Sequence, residues 1–343
     1  MKEHLNTLFV TTQGAYVRKQ GDAVVVRIDK KDRFRVPMIN VGSIVTFGRV
    51  GLSPFLLGAC GEKGISVSLM TEQGRFLAAV NGFTPGNVLL RREQYRRADD
   101  ASACCEIARA CVIGKLANYR TVLRRAAREA KGDASTEALT IAATRMDATV
   151  KRLASPCTTD MARGIEGDAS RVYFGVFNHL ILGDRVAFEF KSRSRRPPLD
   201  RINALLSFLY ALLANDARSA CEAAGLDAAV GFLHRDRPGR PGLALDLMEE
   251  LRPVIADRVA LTLTNRRQIK AEGFHIQPTG GVLMDDDTRR TVVSEYQKRK
   301  QEEVVHPFLN EKMSLGLVVH IQARLLARHL RGDLDAYPPF SWR

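Results

Sequence analysis

The period of the hydrophobic positions changes about a quarter of the way along the chain. Up to residue 83, short apolar runs dense in β-branched residues recur: Ala23–Ile28 (AVVVRI), Arg33–Pro37 (RFRVP), Ser43–Phe47 (SIVTF), Ile65–Met70 (ISVSLM) and Arg75–Val80 (RFLAAV). Between them stand turn signals, Gln20-Gly21-Asp22, Lys30-Lys31-Asp32 and Gln73-Gly74, so these runs predict strands. Ser53–Glu62 predicts one short helix, with Ser53 as cap and Pro54 in the first helical position.

Beyond the breaker-rich linker Asn81–Gly86 the spacing turns helical. The pattern predicts helices over residues 88–130, Ser135–Leu153 and Glu166–Leu182. It continues with Leu199–Ala214 (opened by Pro197-Pro198), Ala217–Ala224, Leu243–Leu251 and Val254–Leu263, the last two flanking Pro253. Two late helices are expected at about 287–305 and 308–331, and an irregular tail at YPPFSWR. The expected fold is α+β and multi-domain: a small N-terminal β domain at 1–83 and a larger all-α C-terminal domain at 84–343. Helical packing can hold carboxylates rigidly between helices, which places the chemistry in the second domain.

Charge sharpens this picture. Lys and Arg number 52 against 38 Asp and Glu, a formal net charge of +14 in 343 residues. Such a balance points to a polyanionic partner, and Arg suits bidentate phosphate contacts. The N-terminal stretch lacks the apolar core and cleavage site of a secretory signal. No uninterrupted apolar run approaches the ~20 residues of a membrane helix. The six cysteines show no CxxC pairing or disulfide-framework spacing. A reducing, cytoplasmic setting is expected, with no membrane partner.

The densest candidate chemistry lies in His234–Arg252, HRDRPGRPGLALDLMEELR. An imidazole precedes a Gly/Pro loop, and the following helix would project Asp246 and Glu249 from one face. A His with two carboxylates suits a divalent cation, with Mg²⁺ or Mn²⁺ favoured by the oxygen-rich donors. The plainer reading is an ion pair of Asp246 or Glu249 with Arg252. Glu250 points roughly 100° away from Glu249 on such a helix and is expected to be solvated. Upstream, Glu166 in RGIEGDASRVYF is flanked by Gly164 and Gly167, which suggests close backbone approach. With Asp168 or Ser170 as cap, Glu166 would lie at a helix start, where a first-turn carboxylate is the ordinary alternative.

Basic residues fall in three places: 91–128, KSRSRRPPLDR at 191–201, and 289–300. Most are expected to be a solvated helix face. Candidates for a phosphate track are Arg91, Arg92, Arg96, Lys115, Arg120, Arg124, Arg195 and Arg196. Few aromatics are interleaved, which favours duplex-backbone contacts over base stacking.

Three motifs in order, GIEGDASRVYF, RRPPLDRINALLSFLYALL and GFLHRDRPGRPGLALDLMEELRP, resemble the CRISPR-associated Cas-one (Cas1) family of adaptation endonucleases/integrases. The resemblance extends to PMINVGSIVTFG and to REQYRRAD…GKLANYR, and RRPPLDRINALL with DLMEELRP is similar to the type I, subtype C branch. It implies an N-terminal β domain that dimerises and a helical catalytic domain. It implies a metal set of Glu166, His234 and Asp246 or Glu249, since members differ in which acidic residue of the pair dominates. It also implies a homodimer, a larger complex with a Cas-two (Cas2) partner dimer, and double-stranded DNA as prespacer and repeat.

The activity so implied is insertion of new spacers into a CRISPR array, a 3′-hydroxyl attacking a phosphodiester by metal-assisted transesterification. Two other readings stand beside it: a general metal-dependent nuclease acting on branched DNA, and a non-catalytic DNA-binding scaffold.

Overall fold

In the computed structural model, residues 6–80, 82, 87–130 and 132–342 are described. The chain divides into two compact units, Met1–Gly86 and Asn87–Arg343. The expected linker at 81–86 lies outside the described residues except for Gly82.

The first unit holds two four-stranded sheets. One has the order β1 (Thr7–Val10), β5 (Ser43–Phe47), β7 (Ser66–Met70), β8 (Phe76–Val80); its first two pairings are parallel and its last antiparallel. The other runs β4 (Lys31–Pro37), β3 (Ala23–Ile28), β2 (Tyr16–Gln20), β6 (Gly51–Leu52). Val17, Val24, Ile44 and Val67 are fully buried in the core of this unit together with Leu56 from α1 (Pro54–Glu62). Ser53 caps α1 as its sequence suggests, its hydroxyl accepting the Leu56 N–H at 3.1 Å. The edge strand β4 is almost wholly exposed and carries Lys31, Arg33 and Arg35, charges that discourage further strand pairing. The β3–β4 turn is at Asp29-Lys30, both at positive φ, one residue earlier than the expected Lys30-Lys31-Asp32.

The second unit is helical, and its axis is α3 (Ala101–Glu129), preceded by α2 (Val88–Asp99). The single helical stretch expected at 88–130 is thus two helices, with Asp100 capping α3 by accepting from the N–H groups of Ser102 and Ala103 at 2.9 Å. Cys111, Val112, Leu116, Tyr119 and Leu123 bury one face of α3 against α4 (Asp133–Leu153), α5 (Thr159–Gly175) and α7 (Gly242–Leu251). Between α5 and α7, α6 (Arg201–Ala223) is one continuous helix capped by Asp200, where two had been expected. Helix α5 starts seven residues before the expected position, because Thr158, not Asp168 or Ser170, is its cap. Glu166 therefore sits in the middle of a helix.

After α7 the helical path does not break at Pro253. Residues Arg252–Ala256 form a π turn that runs directly into α8 (Asp257–Asn265), the Asp257 N–H reaching the Arg252 carbonyl. Proline has no N–H to give the carbonyl four residues back, and its ring clashes there; the wider turn absorbs it. The rest of the unit is not purely helical. A ribbon of β9 (Phe274–Ile276) and β10 (Val282–Met284) precedes α9 (Asp286–Gln301), and a second ribbon, β11 (Glu303–Val305) with β12 (Lys312–Ser314), separates α9 from α10 (Leu315–Leu330). The tail is irregular but tied down, with Tyr337 and Phe340 buried and the Trp342 N–H on Asn118 Oδ1 at 2.6 Å. No described helix is long and apolar enough to cross a membrane.

Candidate metal centre

Helices α3, α5 and α7 bring Lys115, Glu166 and Glu249 together, and the segment before α7 adds His234. That segment is pinned to the start of α7 by two glycines. A Cβ on Gly231 would stand 2.7 Å from the Gly242 carbonyl carbon and 2.9 Å from Asp246 Oδ2; one on Gly242 would stand 2.7 Å from the Ala229 carbonyl oxygen. Neither position has room for a side chain.

Asp246 is fully buried and its two oxygens accept four bonds. Oδ2 takes the backbone N–H of Phe232 at 2.6 Å and of Leu233 at 3.0 Å. Oδ1 takes the His234 N–H at 3.0 Å and its ring Nδ1 at 2.6 Å. A carboxylate on this ring nitrogen fixes the proton at Nδ1 and leaves the Nε2 lone pair outward. Nε2 faces Glu249, 3.8 Å from Oε1. Asp246 thus orients the imidazole from behind, as partners of metal-bound histidines do, and it is Glu249, one turn on, that faces the centre.

Glu249 Oε2 lies 2.7 Å from Lys115 Nζ, and Oε1 lies 2.9 Å from Arg252 Nη1. The ion pair with Arg252 expected as the plainer alternative is therefore present as well. Burial alone would raise the Glu249 carboxyl; Arg252 and Lys115 outweigh it and bring its pKa down to about 2. Lys115 also pairs with Glu166, which accepts the Ser170 hydroxyl at 2.7 Å. Although burial works against the ammonium, Glu249 and Glu166 shift its pKa upward.

Lys115 had been placed on the DNA-facing surface. Its side chain is only 2% exposed, so it belongs to the centre and cannot track a phosphate backbone. Glu250, expected to be solvated, is buried because α7 is covered on nearly all sides. Its oxygens accept from Tyr337 Oη at 2.6 Å, the Phe340 N–H at 2.6 Å and Gln322 Nε2 at 2.9 Å, and burial raises its pKa to about 8. Gly164 and Gly167 make no close approach, since nothing lies within 4 Å of where their Cβ atoms would be. Of the other basic candidates, Arg92, Arg96, Arg195 and Arg196 are exposed. Arg120 and Arg124 both pair with Asp147, at 2.8 and 2.5 Å, and Arg91 donates to the Gly225 carbonyl.

Behind the centre, Arg252 lies over the Tyr210 ring at 4.8 Å, and the Tyr210 hydroxyl donates to Asp257 Oδ1 at 2.7 Å. Burial raises the Asp257 pKa to about 6. A cleft of about 500 Å³ lies beside His234, bordered by Cys104, Arg163 and Arg235; of the centre's side chains only His234 lines it. Among the described residues no three His, Cys, Asp or Glu side chains stand close enough together, as placed, to hold a metal ion. The donor set nonetheless fits a hard divalent ion: the carboxylates of Glu166 and Glu249 converge on one cation, the Lys115 ammonium, with an imidazole nitrogen alongside.

A family profile described as "CRISPR associated protein Cas1" matches residues 8–298. The chain is 52% identical over 343 residues, all of both chains, to CRISPR-associated endonuclease Cas1 1 of Chlorobaculum tepidum. It is 35% identical over 342 residues to a CRISPR-associated exonuclease Cas4/endonuclease Cas1 fusion of Geobacter sulfurreducens, covering 98% of this chain and 60% of that one. Among solved structures, a CAS1 protein from Thermotoga maritima superposes with a TM-score of 0.80 at 22% identity, covering 95% of this chain and 97% of that one. A casposase bound to integration product gives 0.84 at 20% identity, with 98% and 94% covered.

Proposed function

This chain belongs to the CRISPR-associated Cas1 family, and from that membership we propose that it is a divalent-cation-dependent DNA endonuclease and integrase. Its reaction in this reading is spacer insertion for antiviral defence: a prespacer 3′-hydroxyl attacks a phosphodiester at a CRISPR repeat. The observation that carries the proposal is the convergence of Glu166, His234 and Glu249, on three separate segments, in a chain of formal charge +14.

Glu166, Glu249 and His234 Nε2 would hold Mg²⁺ or Mn²⁺. Bound there, the ion would supply acidification of the attacking hydroxyl and screening of charge on the phosphoryl oxygens. The protein's own residues do the rest. Asp246 keeps the imidazole in one tautomer and orientation. Arg252 and Lys115 keep Glu249 ionised. Exposed arginines such as Arg195 and Arg196 are candidates to follow the duplex backbone.

Names among the relatives and neighbours support partners as well: a Cas6-RT-Cas1–Cas2 complex superposes with a TM-score of 0.81, and a TtCas1–DNA complex with 0.59. A homodimer that engages a Cas2 dimer across duplex DNA is the assembly proposed here. The deciding experiment mixes the chain and its Cas2 partner with supercoiled plasmid carrying a repeat array, Mn²⁺, and short duplex with free 3′ ends. Covalent joining is expected. Cutting without joining would leave only the nuclease, and no metal-dependent reaction at all would leave only the scaffold.

A further inference from the structure

Lys115 is one of the few buried basic residues of this chain, with Arg289, Arg299 and Lys300, and its two acidic partners, Glu166 and Glu249, both belong to the centre. Its neighbours along α3, Cys111, Val112 and Tyr119, are all buried, so the side chain has no route to bulk solvent along the helix face. Its ammonium contacts Glu166 and lies 2.7 Å from Glu249, the two carboxylates assigned to metal binding. Desolvating an ammonium is costly unless opposite charge surrounds it, and these two groups supply that charge. The same oxygens cannot serve an ammonium and a divalent ion at full strength together, because two cations about 4 Å apart repel strongly in a dry interior.

The formal charges point the same way. Glu166, Asp246 and Glu249 are offset by Lys115 and Arg252, so the cluster retains a single net negative charge. Hard divalent ions bind in proportion to the number of uncompensated carboxylates around them.

We infer that Lys115 is the built-in counter-cation of the centre: its ammonium competes with the divalent ion for Glu166 and Glu249, holds both carboxylates in place before the ion arrives, and keeps ion binding weak and exchangeable. This rests on the reading of Glu166, His234 and Glu249 as the ligand set. It makes Lys115 a positioning residue rather than a catalytic one.

The test is Mn²⁺ binding to the full chain, read as loss of the free-ion signal in electron paramagnetic resonance. Lys115→Met should bind Mn²⁺ at least tenfold more tightly than the unaltered chain, whereas Lys115→Arg, which keeps the charge, should stay within about threefold. In chelator, Lys115→Met should melt at a lower temperature than the unaltered chain, and Mn²⁺ should raise its Tm by more. Equal or weaker Mn²⁺ binding by a folded Lys115→Met chain overturns the inference while leaving the ligand set standing. Absence of binding by both overturns the two together. Should Lys115→Met fail to fold, a Mn²⁺-soaked crystal of the unaltered chain decides: Nζ is expected to have left at least one carboxylate. If Nζ keeps both contacts with Mn²⁺ bound, the inference is wrong.

Discussion

The Asp246 carboxylate and the His234 imidazole form one rigid unit, joined Oδ1 to Nδ1 at 2.6 Å and locked further by the His234 N–H on that same oxygen at 3.0 Å. The acid is consumed by this task, which separates it from Glu249 despite their shared helix face.

Asp246→Asn tests that separation. An amide puts N–H donors where N–H donors already point, leaving buried groups unpaired at about 1–3 kcal/mol each. Metal affinity should fall about 10- to 100-fold, the usual consequence of losing an orienting partner, with a lower Tm. Mn²⁺ titration of strand joining reads this directly; a wild-type Mn²⁺ dependence would show that Asp246 does not hold the ring.

Glu166→Ala, His234→Ala and Glu249→Ala address the ligands themselves. Each should reduce joining by more than about 100-fold, the scale of losing one charge-stabilising group, and chelator should stop the reaction of the unaltered chain. Duplex affinity measured by gel shift should change only a few-fold. A variant that joins normally in Mn²⁺ removes that residue from the set.

Glu250 gives stability a pH signature. Its carboxyl is raised to about 8 in the folded chain against an ordinary 4.5, so the folded state holds a proton that the unfolded state releases. Stability from this group is full below pH 4.5 and is lost as pH rises to about 8. Relative to the unaltered chain, Glu250→Gln should therefore gain a few kcal/mol in stability between pH 5 and pH 8, on the order expected from linkage, whatever the fixed cost of placing an amide against the three donors. Urea melts at the two pH values check it; a gap independent of pH would mean that Glu250 is ionised in the fold throughout.

Two glycines should respond in opposite ways. Gly231→Ala drives a methyl into Gly242 and Asp246, costing about 1–3 kcal/mol and loosening His234, so both Tm and joining should fall. Gly164→Ala adds a methyl in open space within α5 and should stabilise by about 0.5–1 kcal/mol. Thermal melts of the pair, with a joining assay on each, would expose any error in the packing argument if Gly231→Ala proved neutral.

Much of this was legible because local signals agreed with the final packing. The runs at 23–28 and 43–47 are strands with those bounds, and the Ser53-Pro54 start of α1 needed only cap chemistry. Strand β2 escaped notice because it is polar along its exposed positions, YVRKQ. Helix α5 was started late because Gly164 and Gly167 imitate a break, although an exposed helix face tolerates them. Within the centre, the His234–Arg252 stretch stands out by its own spacing, while Glu166 enters the ligand set only through the family resemblance. The division of labour between Asp246 and Glu249 was not legible, since whether a carboxylate faces backbone N–H groups or open space depends on tertiary contacts. Lys115 did leave a trace. It stands at helical spacing from Cys111, Val112 and Tyr119, on an apolar face where a solvated lysine has no place.

The π turn at Arg252–Ala256 sets the rotational phase of everything after it. Each residue of an α-helix turns the chain by about 100°, so with one extra residue in the turn Asp257 occupies the angular position that residue 256 would hold in an unbroken helix, and there it meets Tyr210. The turn is thus a one-residue phase adjuster between α7 and α8, and it decides that Asp257 rather than its predecessor faces the Tyr210 hydroxyl.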